Sequence, residues 1–82
     1  MAVDFERLIK NIIMPLVVNP EDVLVKVLSN DDQLIIIQLL VNEADLGRVI
    51  GKGGKIANAM RTIVYAGASK EGKRVQIDID SY

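Results

Sequence analysis

The sequence contains no cysteine and no histidine. Without thiols there can be no disulfide, and nothing argues for secretion. Without thiolate or imidazole a structural zinc site is excluded, because zinc draws its ligands chiefly from those two groups. No metal or cofactor is therefore expected. The commonest general acid–base catalyst is missing too, and no catalytic constellation is visible, so an enzyme is the poorest of the function classes. Aromatic residues are scarce: Phe5, Tyr65 and Tyr82, with no tryptophan. Long apolar runs are also lacking. The stretch from Ile12 to Val18 is interrupted by Pro15 and falls far short of the roughly 20 residues that span a bilayer. Asp4 and Glu6 stand where a signal peptide carries basic residues. The expectation is a soluble, cytoplasmic protein without a membrane partner.

The chain of 82 residues fits one domain, 1–82. Half of it is apolar, enough for a packed core. A chain this short still buries only roughly 60–65% of the surface its unfolded form exposes, a thin margin that a partner subunit would widen. The formal net charge of −1 conceals a division. Residues 1–47 carry three basic side chains against eight acidic ones. Residues 48–74 carry seven, Arg48, Lys52, Lys55, Arg61, Lys70, Lys73 and Arg74, against Glu71 alone. Asp78 and Asp80 follow. A basic segment in an acidic host suits an anionic partner on one face, although chance clustering on a solvated surface gives the same count.

The periodicity sets out the elements. Phe5, Leu8, Ile9, Ile12, Ile13 and Leu16 follow helical spacing, and Pro15 ends or kinks that helix. Asn19-Pro20-Glu21-Asp22 is a turn. Val23–Leu28 is rich in β-branched residues and reads as a strand. Ser29-Asn30-Asp31-Asp32 turns the chain into a second strand, Gln33–Val41, apolar on both faces and hence central. Asn42 caps a short helix over Glu43–Val49, with Glu43 and Asp45 complementing its dipole. A longer helix spans Lys55–Ala68 with Ile56, Met60, Ile63 and Val64 on one stripe. Ser69-Lys70-Glu71-Gly72 leads into Arg74–Asp80, where Val75, Ile77 and Ile79 alternate with polar residues. The order α-β-β-α-α-β implies an α+β fold: a three-stranded mixed sheet with helices on one face, the second and last strands parallel across the two-helix crossover.

The chemistry concentrates between the last two helices, in Asp45-Leu46-Gly47-Arg48-Val49-Ile50-Gly51-Lys52-Gly53-Gly54-Lys55-Ile56. A Walker A loop requires two glycines with four residues between them, then Lys and Ser or Thr. Gly47 and Gly51 are one residue too close, and Gly53 follows Lys52. A dinucleotide fingerprint requires a third glycine where Ile56 stands and a strand where a helix precedes. What remains is G-x-x-G at Gly51 and Gly54. Glycine permits positive φ and close approach of a sugar–phosphate chain. Gly54 leads into a helix N-terminus, which favours phosphate. Lys55 in that first turn opposes the dipole by a few tenths of a kcal/mol unless an anion sits beside it.

Val49-Ile50-Gly51-Lys52-Gly53-Gly54-Lys55-Ile56 resembles the KH signature, a V-I-G-x-x-G-x-x-I run joining two helices. The element order resembles the type II KH topology, and the length, the turn Asn19–Val23 and the string Ala68–Val75 resemble the small bacterial single-KH proteins of the KhpA family. The likeness covers nearly the whole chain. It implies an RNA-binding protein whose loop clamps the backbone of about four single-stranded nucleotides, with Gly51, Lys52, Gly53, Gly54 and Lys55 at the phosphates. Ile50 and Ile56 would line an apolar groove, Ile35 or Ile37 would form its other wall, and Arg48 and Arg61 would stand at the rim. Ile50 and Ile56 fit ordinary core equally well, and Arg61 a solvated helix face. Lys70, Lys73 and Arg74 fit a solvated turn better than a site. No aromatic residue falls in the expected groove, so Tyr65 reads as core or interface. The resemblance also implies post-transcriptional regulation or RNA chaperone activity linked to cell elongation and division. It implies homodimers, and heterodimers with a larger multidomain KH-containing protein of the Jag/EloR type. The second function class is therefore a dimerisation module, its interface placed near Met60, Ile63 and Val64.

Overall fold

The computed structural model describes residues 3–82. Helix α1 (Phe5–Ile13) is capped by Asp4, whose side chain accepts from the Arg7 N–H at 3.1 Å. At Pro15 the regular helix gives way to a 3-10 turn, Met14–Leu16, as the missing proline donor requires. Strands β1 (Leu24–Asn30) and β2 (Leu34–Val41) form an antiparallel hairpin. At its tip the Asp31 carboxylate accepts from the backbone N–H groups of Gln33 and Leu34, both at 2.8 Å. This clamp lets β1 run two residues beyond the expected Leu28, through an irregularity between Val27 and Ser29.

Helix α2 (Glu43–Ile50) starts at Asn42, whose side chain accepts from the Ala44 N–H. Helix α3 (Lys55–Lys70) continues past the expected Ala68. Its end is set by Gly72 at φ +71°. Gly72 N–H donates to the Ser69 carbonyl and Lys73 N–H to the Ala68 carbonyl, both at 3.0 Å. This pattern places a left-handed glycine just past the last helical turn, so Ser69 and Lys70 stay helical. Strand β3 (Arg74–Ser81) then pairs parallel with β2, and the sheet order is β1-β2-β3.

The α+β expectation holds, with β2 central and all three helices on one face. Ile35, Ile37, Leu39 and Val41 of β2 are fully buried, and Val25, Val75 and Ile77 join them. The helices contribute Phe5, Ile9, Ile13, Val49, Met60, Val64 and Ala68. Burying one such aliphatic side chain is worth about 1.5–3 kcal/mol. Two expectations change. Ile63 does not share the buried stripe of α3: it is 47% exposed, and the stripe runs through Ala57, Met60, Val64 and Ala68. Ile35 and Ile37 face the helices and are fully buried, so neither walls an open groove. The other face of β2 presents Leu34, Ile36, Gln38 and Leu40, each half-buried and, among the described residues, with no layer over them.

Among the described residues no helix is long and apolar enough to cross a membrane, and no group of His, Cys, Asp or Glu is arranged to hold a metal ion.

Candidate nucleic-acid interface

The site begins where α2 stops. Gly51 takes φ +76° and ψ 169° and donates its N–H to the Gly47 carbonyl at 2.9 Å. Gly53 and Gly54 follow in left-handed conformations, φ +66° and +78°. Three positive-φ residues within four make a reversal that β-carbon-bearing residues rarely tolerate. Their surroundings differ. A β-carbon on Gly51 would stand 2.7 Å from Ile56 Cγ1, whereas one on Gly53 would meet nothing within 4 Å. Gly51 is therefore required by the fold, while Gly53 lies open to whatever approaches. Gly51→Ala is expected to lower stability by about 1–3 kcal/mol from backbone strain alone, with the contact against Ile56 adding to it. A urea titration checks this. A midpoint unchanged from the parent would remove the steric account of Gly51.

Lys52 and Lys55 are exposed, and neither has an acidic partner within ion-pair distance among the described residues. Both stand where α3 presents its first unpaired N–H groups, a local positive pole. From this pole one stripe of α3 leads away. Gly54, Asn58, Arg61 and Tyr65 are spaced three or four apart and so are neighbours along the helix surface. Arg61 Nη1 lies 3.5 Å from Asn58 Oδ1. The stripe ends at a cleft of about 300 Å³ between α3 and the edge strand β3, lined by Leu34, Arg61, Tyr65, Arg74, Val75, Gln76 and Ile77. Buried Val75 and Ile77 form its apolar floor, and two guanidinium groups and a phenol stand at its rim.

The structure thus places the expected site residues unevenly. Gly51, Lys52, Gly53, Gly54 and Lys55 form one exposed loop and helix start, and Arg61 lies on the stripe beyond. Ile50 is half-buried at the end of α2. Ile56 packs under Gly51. At about 100° per residue it lies on the far side of the buried stripe of α3 from Arg61. The apolar position three residues after Gly54, where a G-x-x-G-x-x-I run carries isoleucine, is occupied by Ala57, which is buried. Arg48 reaches backward: its Nη1 donates to the Ala44 carbonyl at 3.0 Å and lies 3.5 Å from Asp45 Oδ1. Its guanidinium is committed one turn before the loop.

Three residues of this candidate surface escape a reading of the sequence alone. Tyr65 is 48% exposed and lines the cleft, so the groove does hold an aromatic ring. Arg74 joins it from β3, and Asn58 bridges loop and cleft. Helical spacing from Gly54 is the signal that finds Asn58, Arg61 and Tyr65. Arg74 has no such signal, because only the return of β3 beside α3 brings it there. Of its neighbours in the basic turn, Lys73 is tied to Asn30, Nζ to Oδ1 at 2.7 Å.

A buried carboxylate holds the frame of this site. Asp45 is fully buried in the first turn of α2. It accepts from Val18 N–H at 3.0 Å, Asn19 N–H at 2.9 Å and Asn19 Nδ2 at 3.2 Å. The bond from Val18 and those from Asn19 hold its carboxyl below the usual range against the opposing effect of burial, with a smaller contribution from Arg48. The helix that delivers the glycine loop is thereby pinned to the segment after α1.

The family model described as the KhpA/KhpB KH domain matches residues 6–79. The chain is 47% identical over 74 residues to the RNA-binding protein KhpA of Listeria monocytogenes, covering 90% of this chain and 96% of that one. It is 43% identical over 74 residues to the protein of the same name from Bacillus subtilis, covering 90% of each. A third, from Caldanaerobacter subterraneus, is 50% identical over 73 residues, covering 89% of this chain and 96% of that relative. No solved structure gives a significant match.

Proposed function

Because this chain belongs to the KhpA/KhpB KH-domain family, we propose that it is an RNA-binding protein that grips short single-stranded RNA through the loop Gly51-Lys52-Gly53-Gly54. The observation that carries this reading is the continuous path from that loop along Asn58 and Arg61 to the cleft at Tyr65 and Arg74. One end offers backbone N–H groups and two free lysines to phosphates. The other offers an apolar floor, a ring and two guanidinium groups to bases. Tyr65 lies ten residues along α3 from Lys55, about 15 Å at helical rise, a span for a few nucleotides rather than one. Bases stacking on an aromatic ring gain about 1–3 kcal/mol each, and a single ring gives modest affinity for one domain. The relatives from Listeria monocytogenes and Bacillus subtilis are named RNA-binding proteins, and RNA is the corresponding partner here. A role in post-transcriptional control or RNA chaperoning connected to cell elongation and division extends the same reading to the cell.

The test is a fluorescence-anisotropy titration of a short single-stranded RNA across salt concentrations. If about three basic side chains meet phosphates, the log–log slope of affinity against salt is about −2. A matched duplex should bind more weakly, since the cleft takes unpaired base edges. A salt-independent affinity, or preference for the duplex, would contradict the reading.

Self-association is supported by a separate observation. Met60 and Val64 are buried at 1% and 0% exposure and can contact no partner. Of the three residues expected at the interface, Ile63 alone is available, at 47% exposure. It lies about 200° around α3 from Arg61, so a second copy seated on it leaves the RNA stripe open. The same surface suits a KH domain of a larger protein. Ile63→Asp is expected to turn a concentration-dependent dimer into a monomer in sedimentation while leaving the circular dichroism spectrum unchanged. A parent protein already monomeric at high micromolar concentration would remove this interface.

A further inference from the structure

Apart from Leu34 and Arg74, which also line the cleft, the helix-free face of the sheet has a charge pattern that the RNA reading does not use. Its centre is the row Leu34, Ile36, Gln38 and Leu40 of β2, half-buried and uncovered. The flanking strands, and Asp31 in the turn just beyond β1, bear exposed charges at defined levels. Lys26 on β1 is level with Gln38, and Gln38 with Asp78 on β3. Four residues along, Arg74 is level with Leu34, and Asp31 donates its N–H to the Leu34 carbonyl from the other side. One level thus reads positive to negative across the sheet, and the other negative to positive. Lys26, Arg74 and Asp78 have no ion-pair partner among the described residues.

We propose that this face is a docking surface for a second copy of the same chain, related by a two-fold axis parallel to the strands. That rotation sets each β2 residue opposite its own counterpart and each β1 opposite the other copy's β3. Lys26 then meets the second copy's Asp78, and Asp31 its Arg74, each pair occurring twice. Leu34, Ile36 and Leu40 are covered together. The alternative in-plane axis, perpendicular to the strands, also opposes unlike charges when centred on Ile36, but it leaves Leu40 overhanging the end of the partner sheet. Asp80 falls opposite Leu24 at the end of the strands, where its carboxylate stays in water. Sheets stacked about 10 Å apart with nearly aligned strands are an ordinary packing. RNA is disfavoured as the occupant, because Asp31, Asp78 and Asp80 set carboxylates against phosphates.

Three strands about 4.8 Å apart and roughly 25 Å long offer on the order of 700 Å² in total from the two copies, below the usual size of a stable interface. The association is therefore weak and salt-sensitive. It is also independent of Ile63, which lies on the helical side of the molecule.

The test is sedimentation of the full chain at low salt up to about 1 mM, in the Ile63→Asp background so that only this face is read. Lys26→Asp and Asp78→Lys each place like charges opposite one another and should weaken self-association about tenfold. The proposal's sharper consequence is rescue. An equimolar mixture of the two variants restores unlike charges at both positions and should associate within about threefold of the Ile63→Asp parent. So should the double variant Lys26→Asp/Asp78→Lys. Both positions are exposed, and amide spectra that match the parent confirm the fold. A parent that stays monomeric to 1 mM overturns the proposal, as does single-variant association equal to the parent's. A mixture that fails to rescue removes the strand-parallel axis and with it the proposal.

Discussion

Replacing Lys52 and Gly53 together by aspartate is expected to weaken single-stranded RNA binding by about a hundredfold or more while the fold persists. The change subtracts three unit charges at the loop proposed to hold phosphates. At contact distance in a water-exposed site each unit is worth about 1 kcal/mol, and a tenfold loss corresponds to about 1.4 kcal/mol. The fold survives because the two positions carry no packing. Lys52 is exposed, and a β-carbon at Gly53 meets nothing within 4 Å. The left-handed φ of +66° at Gly53 is one that aspartate tolerates better than most residues. Anisotropy measures the loss, and thermal melting checks the fold. RNA bound with the parent affinity by a well-folded double variant would detach the loop from RNA recognition altogether.

The second large effect is on stability, not binding. Asp45→Ala removes the acceptor for the Val18 and Asn19 N–H groups and the Asn19 amide. Two backbone donors are then left in a part-buried place without partners, which costs more than the bonds themselves contributed. For a domain of this size the melting temperature should fall by on the order of 10 °C or more. Asp45→Asn keeps the shape and one acceptor oxygen and should fall between. The pH dependence has a definite sign. A carboxyl whose folded pKa lies below its unfolded value of 3.8 contributes stability that is fully present above the unfolded value. That contribution is lost as pH falls through the folded one. Asp31, lowered chiefly by its backbone bonds to Gln33 and then Leu34, acts in the same direction. Stability measured by denaturant should therefore be level from neutral pH down to about 5 and decline below about 4. The Asp45→Ala variant should show a shallower decline. An equally steep decline in that variant would show that Asp45 is not the group responsible.

Asp45 also marks a limit of the sequence. Beside Glu43 in the first turn of α2, it fits the helix dipole as well as its neighbour does. Nothing in the local pattern says that one carboxylate turns inward and the other outward. Asn42 and Glu43 could be placed from capping chemistry, which depends on adjacent residues. The partners of Asp45 lie 26 and 27 residues earlier, and no local rule reaches them. Ile63 shows a related limit. Four apolar residues at helical spacing suggest one stripe, but the core admits only as much of the helix as β2 and β3 cover. Ala57 and Ala68 are buried, because small side chains let α3 approach the sheet. The larger Ile63 is left outside.

The sequence by itself determined the order of elements, the central place of β2 and the position of the glycine loop. Each depends on residues close in the chain: apolar periodicity, a proline, caps, and glycines at φ values other residues avoid. Tertiary structure alone decided which side chains share the site with that loop. Tyr65 and Arg74 meet because α3 and β3 return side by side across a parallel crossover. Lys26 and Asp78 share a level because two strand registers place both opposite Gln38. Such juxtapositions follow from how apolar faces fill one core, a property of the whole chain that no single segment carries.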